Sequence, residues 1–162
     1  ASAEEVAQDL FTCWIDHGQR PANASYAYRV VPAVTADQSA NLVADPAVRV
    51  LSNTPDLQAV HCAEEHLTQA IFHRPGSLAL ADGGSIRTDQ PCALIHRIVG
   101  DVLLLTIADP AQAHRQLVLH LTGAFIGRGA AHTAAGTRVE IDLPTGAYAG
   151  QSVSIALTRR NE

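Results

Sequence analysis

The chain has 162 residues, 47% of them apolar and 17% charged, which fits a folded protein able to bury a core and excludes a disordered segment. Eleven basic residues, all arginine, stand against 16 acidic ones for a formal net charge of −5. The arginines are scattered singly except for Arg159-Arg160, and the longest apolar runs, such as Val102-Leu103-Leu104-Leu105, are far too short to cross a bilayer. Neither nucleic acid nor a membrane is read as a partner, and most of the positive field for an acidic polymer must come from outside this chain.

From the N-terminus, Ala1-Ser2-Ala3-Glu4-Glu5 has no basic region, no apolar signal core and no initiator Met, so the start reads as that of a processed, nicked or truncated piece. Strands are expected at residues 9–16 and 25–31. One helix follows: Thr35 is a capping residue with Gln38 three positions on, residues 36–43 are mostly good helix formers, and Asp45-Pro46 ends them. Strands are then expected at 48–51, 57–62, 67–73, 77–81, 86–88, 92–99, 102–109, 116–122, 138–143 and 152–158. Their spacing, with Gly, Pro, Asn and Asp between them, is that of an antiparallel β-sandwich or barrel. Val139-Glu140-Ile141-Asp142-Leu143 alternates apolar and acidic, as a half-buried strand does. Gly100-Asp101 reads as a two-residue hairpin turn and Asp82-Gly83-Gly84 as a second turn. Residues 123–136, with four glycines, read as a long flexible loop. The fold class is therefore all-β with one short helix.

Candidate chemistry is sparse. Cys13, Cys62 and Cys92 lie far apart without metal-ligand spacing, and read as free thiols buried as small hydrophobes. His61-Cys62-Ala63-Glu64-Glu65-His66 has the composition of a metal cluster. Its histidines are five apart rather than four, at a strand end and turn, so a solvated loop is the preferred reading. Asp16-His17-Gly18 could orient a histidine for acid–base work, but no nucleophile elbow accompanies it, and a turn before Pro21 is preferred. His73, His96, His114, His120 and His132 fall at strand edges or loops. Trp14, Tyr26 and Tyr28 raise the question of a sugar platform. Tyr26 and Tyr28 share one strand face, with Trp14 across from them, and core or interdomain packing is the preferred reading over substrate binding. Asn23-Ala24-Ser25 matches the glycosylation acceptor pattern, a common triplet. No catalytic residue, metal ligand or cofactor site is assigned.

The run Phe11-Thr12-Cys13-Trp14-Ile15-Asp16-His17-Gly18, then Pro21 and Asn23-Ala24-Ser25-Tyr26-Ala27-Tyr28, resembles a signature of polysaccharide lyase family 8, the bacterial hyaluronate, chondroitin AC and xanthan lyases. The likeness continues through Pro32, Asp45-Pro46, Asn53-Thr54 and Leu57-Gln58-Ala59-Val60-His61. It keeps its order to Ala108-Asp109-Pro110 and Gly150-Gln151-Ser152-Val153-Ser154-Ile155. The resemblance implies that residues 1–58 are the last strands of a central super-sandwich domain and residues 59–162 a small C-terminal β-sandwich. It also implies a secreted or periplasmic bacterial parent that cleaves acidic polysaccharides by β-elimination. A tyrosine, histidine, asparagine, arginine and glutamate do that work in the family, in an α-helical toroid and its facing cleft. None of their motifs is matched here, and Tyr26 is not cast as the base. The partners implied are the rest of the lyase and, through it, the polymer. The competing readings are a freestanding carbohydrate-binding module with Trp14 or Tyr148 as platform, and a small hydrolase using His17.

Overall fold

A computed structural model describes residues 12–43 and 47–160. The chain divides into two units, Ala1–Thr35 and Ala36–Glu162.

In the second unit the expected helix is α1 (Ala36–Val43). Its stop signal Asp45-Pro46 lies outside the described residues. Among the described residues twelve strands follow: β1 (Val48–Asn53), β2 (Leu57–Cys62), β3 (Leu67–Phe72), β4 (Gly76–Ala79), β5 (Ser85–Thr88), β6 (Cys92–Val99), β7 (Val102–Ala108), β8 (Gln116–Leu121), β9 (Phe125–Gly127), β10 (Ala130–Thr133), β11 (Gly136–Asp142) and β12 (Val153–Arg159). They form a seven-stranded sheet, β1-β2-β3-β6-β7-β12-β9, and a five-stranded sheet, β10-β11-β8-β5-β4. The pairings are antiparallel. The fold is an antiparallel β-sandwich.

Period-2 alternation explains which side of each strand is buried. Leu103, Leu105 and Ile107 of β7, Leu117, Leu119 and Leu121 of β8, Val139 and Ile141 of β11 and Leu157 of β12 all turn inward and are buried. They meet Phe72, Leu78, Ile86 and Leu94 in one hydrophobic core between the sheets. Two turns fall where the residues require. Val99 pairs with Val102 around Gly100-Asp101, Gly100 having φ +58°. The β4–β5 hairpin closes with Leu80 N–H donating to Gly84 C=O at 2.8 Å and Gly84 N–H to the Asp82 carboxylate at 3.1 Å.

Two expectations are corrected. Residues 12–35 contain no strand among those described, although strands were expected at 9–16 and 25–31; residues 9–11 lie outside the described set. A strand exists only where a neighbouring backbone answers its N–H and C=O groups, and alternation of side chains cannot supply that neighbour. Residues 123–136 are not one flexible loop, since they carry β9, β10 and the start of β11. The glycines there serve close approach. A Cβ on Gly129 would meet the Glu140 carbonyl oxygen, and one on Gly136 the Leu121 carbonyl oxygen, with φ at +74° and +131°. Buried Thr137 braces the segment by accepting from Phe125 N–H and donating to Gly123 C=O, both at 2.8 Å.

Candidate functional site

The first unit holds the aromatic candidates. Asp16 accepts the Gly18 N–H at 2.7 Å, so Asp16-His17-Gly18 is a side-chain-closed turn, with Gly18 at φ +74°. That turn lays the His17 ring against Tyr26, with centroids 6.1 Å apart, and Tyr26 stacks on Tyr28 at 6.2 Å with 18° between planes. Trp14 is 78% exposed, Tyr26 60% and Tyr28 74%. Of the core or interdomain packing expected of these rings, core packing is not made among the described residues. What the sequence placed correctly is the pairing of Tyr26 with Tyr28. Tyr148, also exposed, belongs to the second unit, in the 3-10 turn Gly146–Tyr148.

The histidine-rich segment between β2 and β3 is held by ordinary polar contacts. His61 Nδ1 lies 3.0 Å from Thr68 Oγ1, and Glu65 pairs with Arg97 at 2.7 Å. Each group is directed to a separate partner, as in a solvated turn. Among the described residues no three His, Cys, Asp or Glu side chains come together as a metal-holding group.

Two buried titratable groups escaped the sequence reading as chemistry. Asp109, 3% exposed after β7, accepts the backbone N–H groups of Ala111, Ala113 and His114 at 3.0, 2.8 and 2.8 Å, and His114 Nδ1–H at 3.1 Å. Burial pushes its carboxyl up, but the donors of His114, Ala113 and Ala111 outweigh burial and hold it below its ordinary value. This carboxylate folds a loop. Ala108-Asp109-Pro110 marked the place, although not the role. His96 on β6 is inward-facing and 6% exposed, with Nδ1 lacking a hydrogen-bond partner. Burial keeps its imidazole below the ordinary value, against the opposing pull of the Asp82 charge.

The thiols differ from one another. Cys13 is exposed and Cys62 half-buried, so only Cys92 fits the expectation of a buried hydrophobe. Burial pushes the Cys92 thiol up to about 11, opposed by its contact with Thr88 Oγ1.

The seven-stranded sheet carries a shallow apolar cavity of about 360 Å³ on its outer face, floored by Val60, Ile71, Ala93 and Ile95 and edged by Gln58 and Gln69. Val60, Ile71 and Ile95 are 38, 46 and 38% exposed, and Val50, across from Val60 on β1, is 51% exposed. In register Gln69 lies between Val60 and Ile95, and Ile71 between Gln58 and Ala93, so exposed β-branched side chains alternate with glutamines on this face.

Known proteins share this arrangement. Residues 1–43 match the profile of the polysaccharide lyase family 8 super-sandwich domain, and residues 49–118 that of the family's C-terminal β-sandwich domain. The chain is 36% identical over 154 residues to a chondroitinase-AC of Pedobacter heparinus, covering 95% of this chain and 21% of that protein. It is 32% identical over 110 residues to a hyaluronate lyase of Thermasporomyces composti, covering 67% of this chain and 14% of that protein. It thus spans about a fifth or less of the length of these curated relatives. Among solved structures, chondroitinase AC lyase, described with its enzyme–oligosaccharide complexes, superposes with a TM-score of 0.69 at 34% identity, covering 83% of this chain and 19% of that one. The Streptomyces coelicolor chondroitin AC lyase in complex with chondroitin sulphate gives 0.71 at 23% identity, a likeness of fold, covering 89% of this chain and 19% of that one. Two adjoining domain profiles of one family, matched in chain order and joined to a relative that aligns across nearly the whole chain, have one explanation: the chain belongs to polysaccharide lyase family 8.

Proposed function

We propose that this chain is the non-catalytic β-sandwich portion of a bacterial lyase that depolymerises acidic polysaccharides of the hyaluronan, chondroitin or xanthan type by β-elimination. The observation that carries the reading is the alignment of nearly the whole chain with a fifth of a chondroitinase. The internal chemistry supports it. The sandwich interior is apolar, its buried carboxylate Asp109 is committed to backbone donors, and its buried imidazole His96 faces the core. Removing a proton α to a carboxylate needs a base in reach of that proton and a cation or donor set facing the enolate oxygens. In this reading the α-toroid and central β domain of the parent supply both. This chain completes a sheet and backs the cleft wall.

The division into domains belongs to the same proposal. Residues 1–58 finish the central super-sandwich and residues 59–162 form the C-terminal sandwich, a division that falls just inside β2, the neighbour of edge strand β1. The exposure of Val50, Val60, Ile71 and Ile95 supports a face covered by the rest of the lyase. Secretion or periplasmic residence follows from the size of such polymers. No helix among the described residues is long and apolar enough to cross a membrane. The second reading, a freestanding carbohydrate-binding sandwich, draws on the exposure of Trp14, Tyr26, Tyr28 and Tyr148.

The test is direct. The purified chain, checked for mass and for freedom from any companion, is incubated with hyaluronan, chondroitin sulfate and xanthan, and unsaturated-uronate absorbance is followed. No turnover is expected from the chain alone, and turnover is expected once the toroid-bearing part of the lyase is present. Sustained product formation by the chain alone would overturn the reading.

A further inference from the structure

The outer face of the five-stranded sheet carries a polar row that nothing above uses. One register level runs across all five strands: Ala131 opposite Arg138, Arg138 opposite His120, His120 opposite Arg87, and Arg87 opposite Ser77. The neighbours of these residues along β5, β8 and β11 are the buried Ile86, Thr88, Leu119, Leu121, Thr137 and Val139, so the pleat turns Arg87, His120 and Arg138 outward together. Adjacent strands lie about 4.8 Å apart, which places the two arginines roughly 10 Å from each other with the imidazole between them.

Arg87 and Arg138 stand on either side of His120, and like charges on one sheet face repel when nothing answers them. Arg138 is answered in part, by an ion pair with Glu140 two residues along its own strand. Arg87 is exposed, and neither it nor His120 has a side-chain hydrogen bond or ion pair among the described residues. The exposed Ser77 hydroxyl extends the row at the β4 end. In a chain of net charge −5 the row is a local gathering of outward-facing donors, with the carboxylates of Glu140, paired to Arg138, and of Asp89, which accepts Val118 N–H at 2.8 Å, one level along the same face. An arginine fork donates two parallel N–H···O bonds to a carboxylate or a sulfate, which suits it to the groups an acidic polysaccharide repeats along its length.

We infer that Arg87, His120 and Arg138 form an auxiliary binding subsite that receives carboxylate or sulfate groups of an acidic polysaccharide laid across β5, β8 and β11. The subsite rests on the proposed function for the choice of polymer. It holds the polymer on the sandwich, and its effect is read as binding affinity.

The experiment compares the wild-type chain with Arg87→Ser, with Arg87→Ser/Arg138→Ser, and with Arg49→Ser, a control on β1 of the other sheet. Binding to chondroitin sulfate, hyaluronan, neutral dextran and a DNA duplex is measured by titration calorimetry, and far-UV spectra and thermal midpoints establish folding. The expected results are binding to one or both acidic polysaccharides and none to dextran. Affinity should fall about fivefold for Arg87→Ser and more for the double variant, with Arg49→Ser unchanged. Raising salt from about 50 to about 200 mM should weaken wild-type binding most. The subsite is overturned by absence of polysaccharide binding at low salt, by undiminished binding of folded Arg87→Ser, or by tighter binding of DNA than of either polymer. These outcomes are separable from failure of the lyase reading. A toroid-bearing parent that releases unsaturated uronate while the row fails to bind sinks the subsite alone. Binding by the row with a parent that never performs elimination sinks the lyase reading alone.

Discussion

Residues 12–35 and the sandwich that follows are built from similar residue types, but they meet opposite fates. Trp14, Ile15, Tyr26, Tyr28 and Val30 are half to four-fifths exposed, from 50 to 78%. Leu105, Ile107, Leu117, Leu119 and Leu157 are fully buried, and each sits on a strand with neighbours on both sides. Apolar content does not separate the two regions. The difference is that the sandwich strands are joined in antiparallel ladders, whereas no strand is formed over residues 12–35 among the described residues. Alternating sequence is a necessary condition for a strand, and the partner strand completes it.

That contrast can be broken most severely in the core. Leu105→Ala or Leu117→Ala removes a fully buried side chain from between the sheets and should cost about 3–5 kcal/mol of unfolding free energy in a denaturant titration. A loss below about 1 kcal/mol would mean that the sandwich is not the stable body described here. Gly129→Ala and Gly136→Ala come next. Each drives a Cβ into a carbonyl oxygen of a paired strand at positive φ, and a loss of roughly 2–4 kcal/mol is expected. Tolerance of both would restore the flexible-loop reading of residues 123–136.

Asp109→Ala leaves three backbone N–H groups and His114 without their acceptor, for an expected loss of about 2–3 kcal/mol. The pH dependence sharpens the same picture. His96 and Asp109 both have folded-state values below their ordinary ones, so the unfolded chain binds their protons first. Stability should therefore begin to fall as pH drops below the ordinary histidine value of 6.5, through His96, and fall further below 3.8, through Asp109. His96→Phe should flatten the upper part of that curve. A chain whose stability rises between pH 6.5 and pH 5 would contradict the buried imidazole. The smallest effect is expected on the other side of the comparison. Trp14→Ala and Tyr28→Ala, at exposed positions, should change the unfolding free energy of the chain by less than about 0.5 kcal/mol.

The sandwich was largely legible in the sequence because its information is local. Turn residues punctuate it at regular intervals, and Val102–Ala108 and Gln116–Leu121 alternate so that their buried faces can be read off directly. The helix was read to the residue from its cap and composition. The misreadings share one cause, which is information residing in other strands. Glycines at 129 and 136 look like flexibility until the carbonyls of Glu140 and Leu121 are placed beside them. Cys13 and Cys92 look alike until one is exposed and the other lies under the core. The outward row Arg87–His120–Arg138 has no linear signature, since its members are 33 and 18 residues apart and meet only through strand register. The aromatic motif at 14–28 was readable as a family mark, but its packing was not.

Hydrogen–deuterium exchange on the isolated chain, resolved to peptides, tests most directly whether the two regions differ as described. Amides of residues 102–108, paired on both sides by β6 and β12, should exchange at rates set by opening of the whole sandwich. Amides of residues 12–31, which form no strand ladder in the described residues, should exchange orders of magnitude faster. They should gain protection when the remaining domains of the lyase are supplied, with residues 102–108 little changed. Equal and strong protection of both regions in the monomeric isolated chain would contradict this account, and would favour a self-contained binding module over part of a larger lyase.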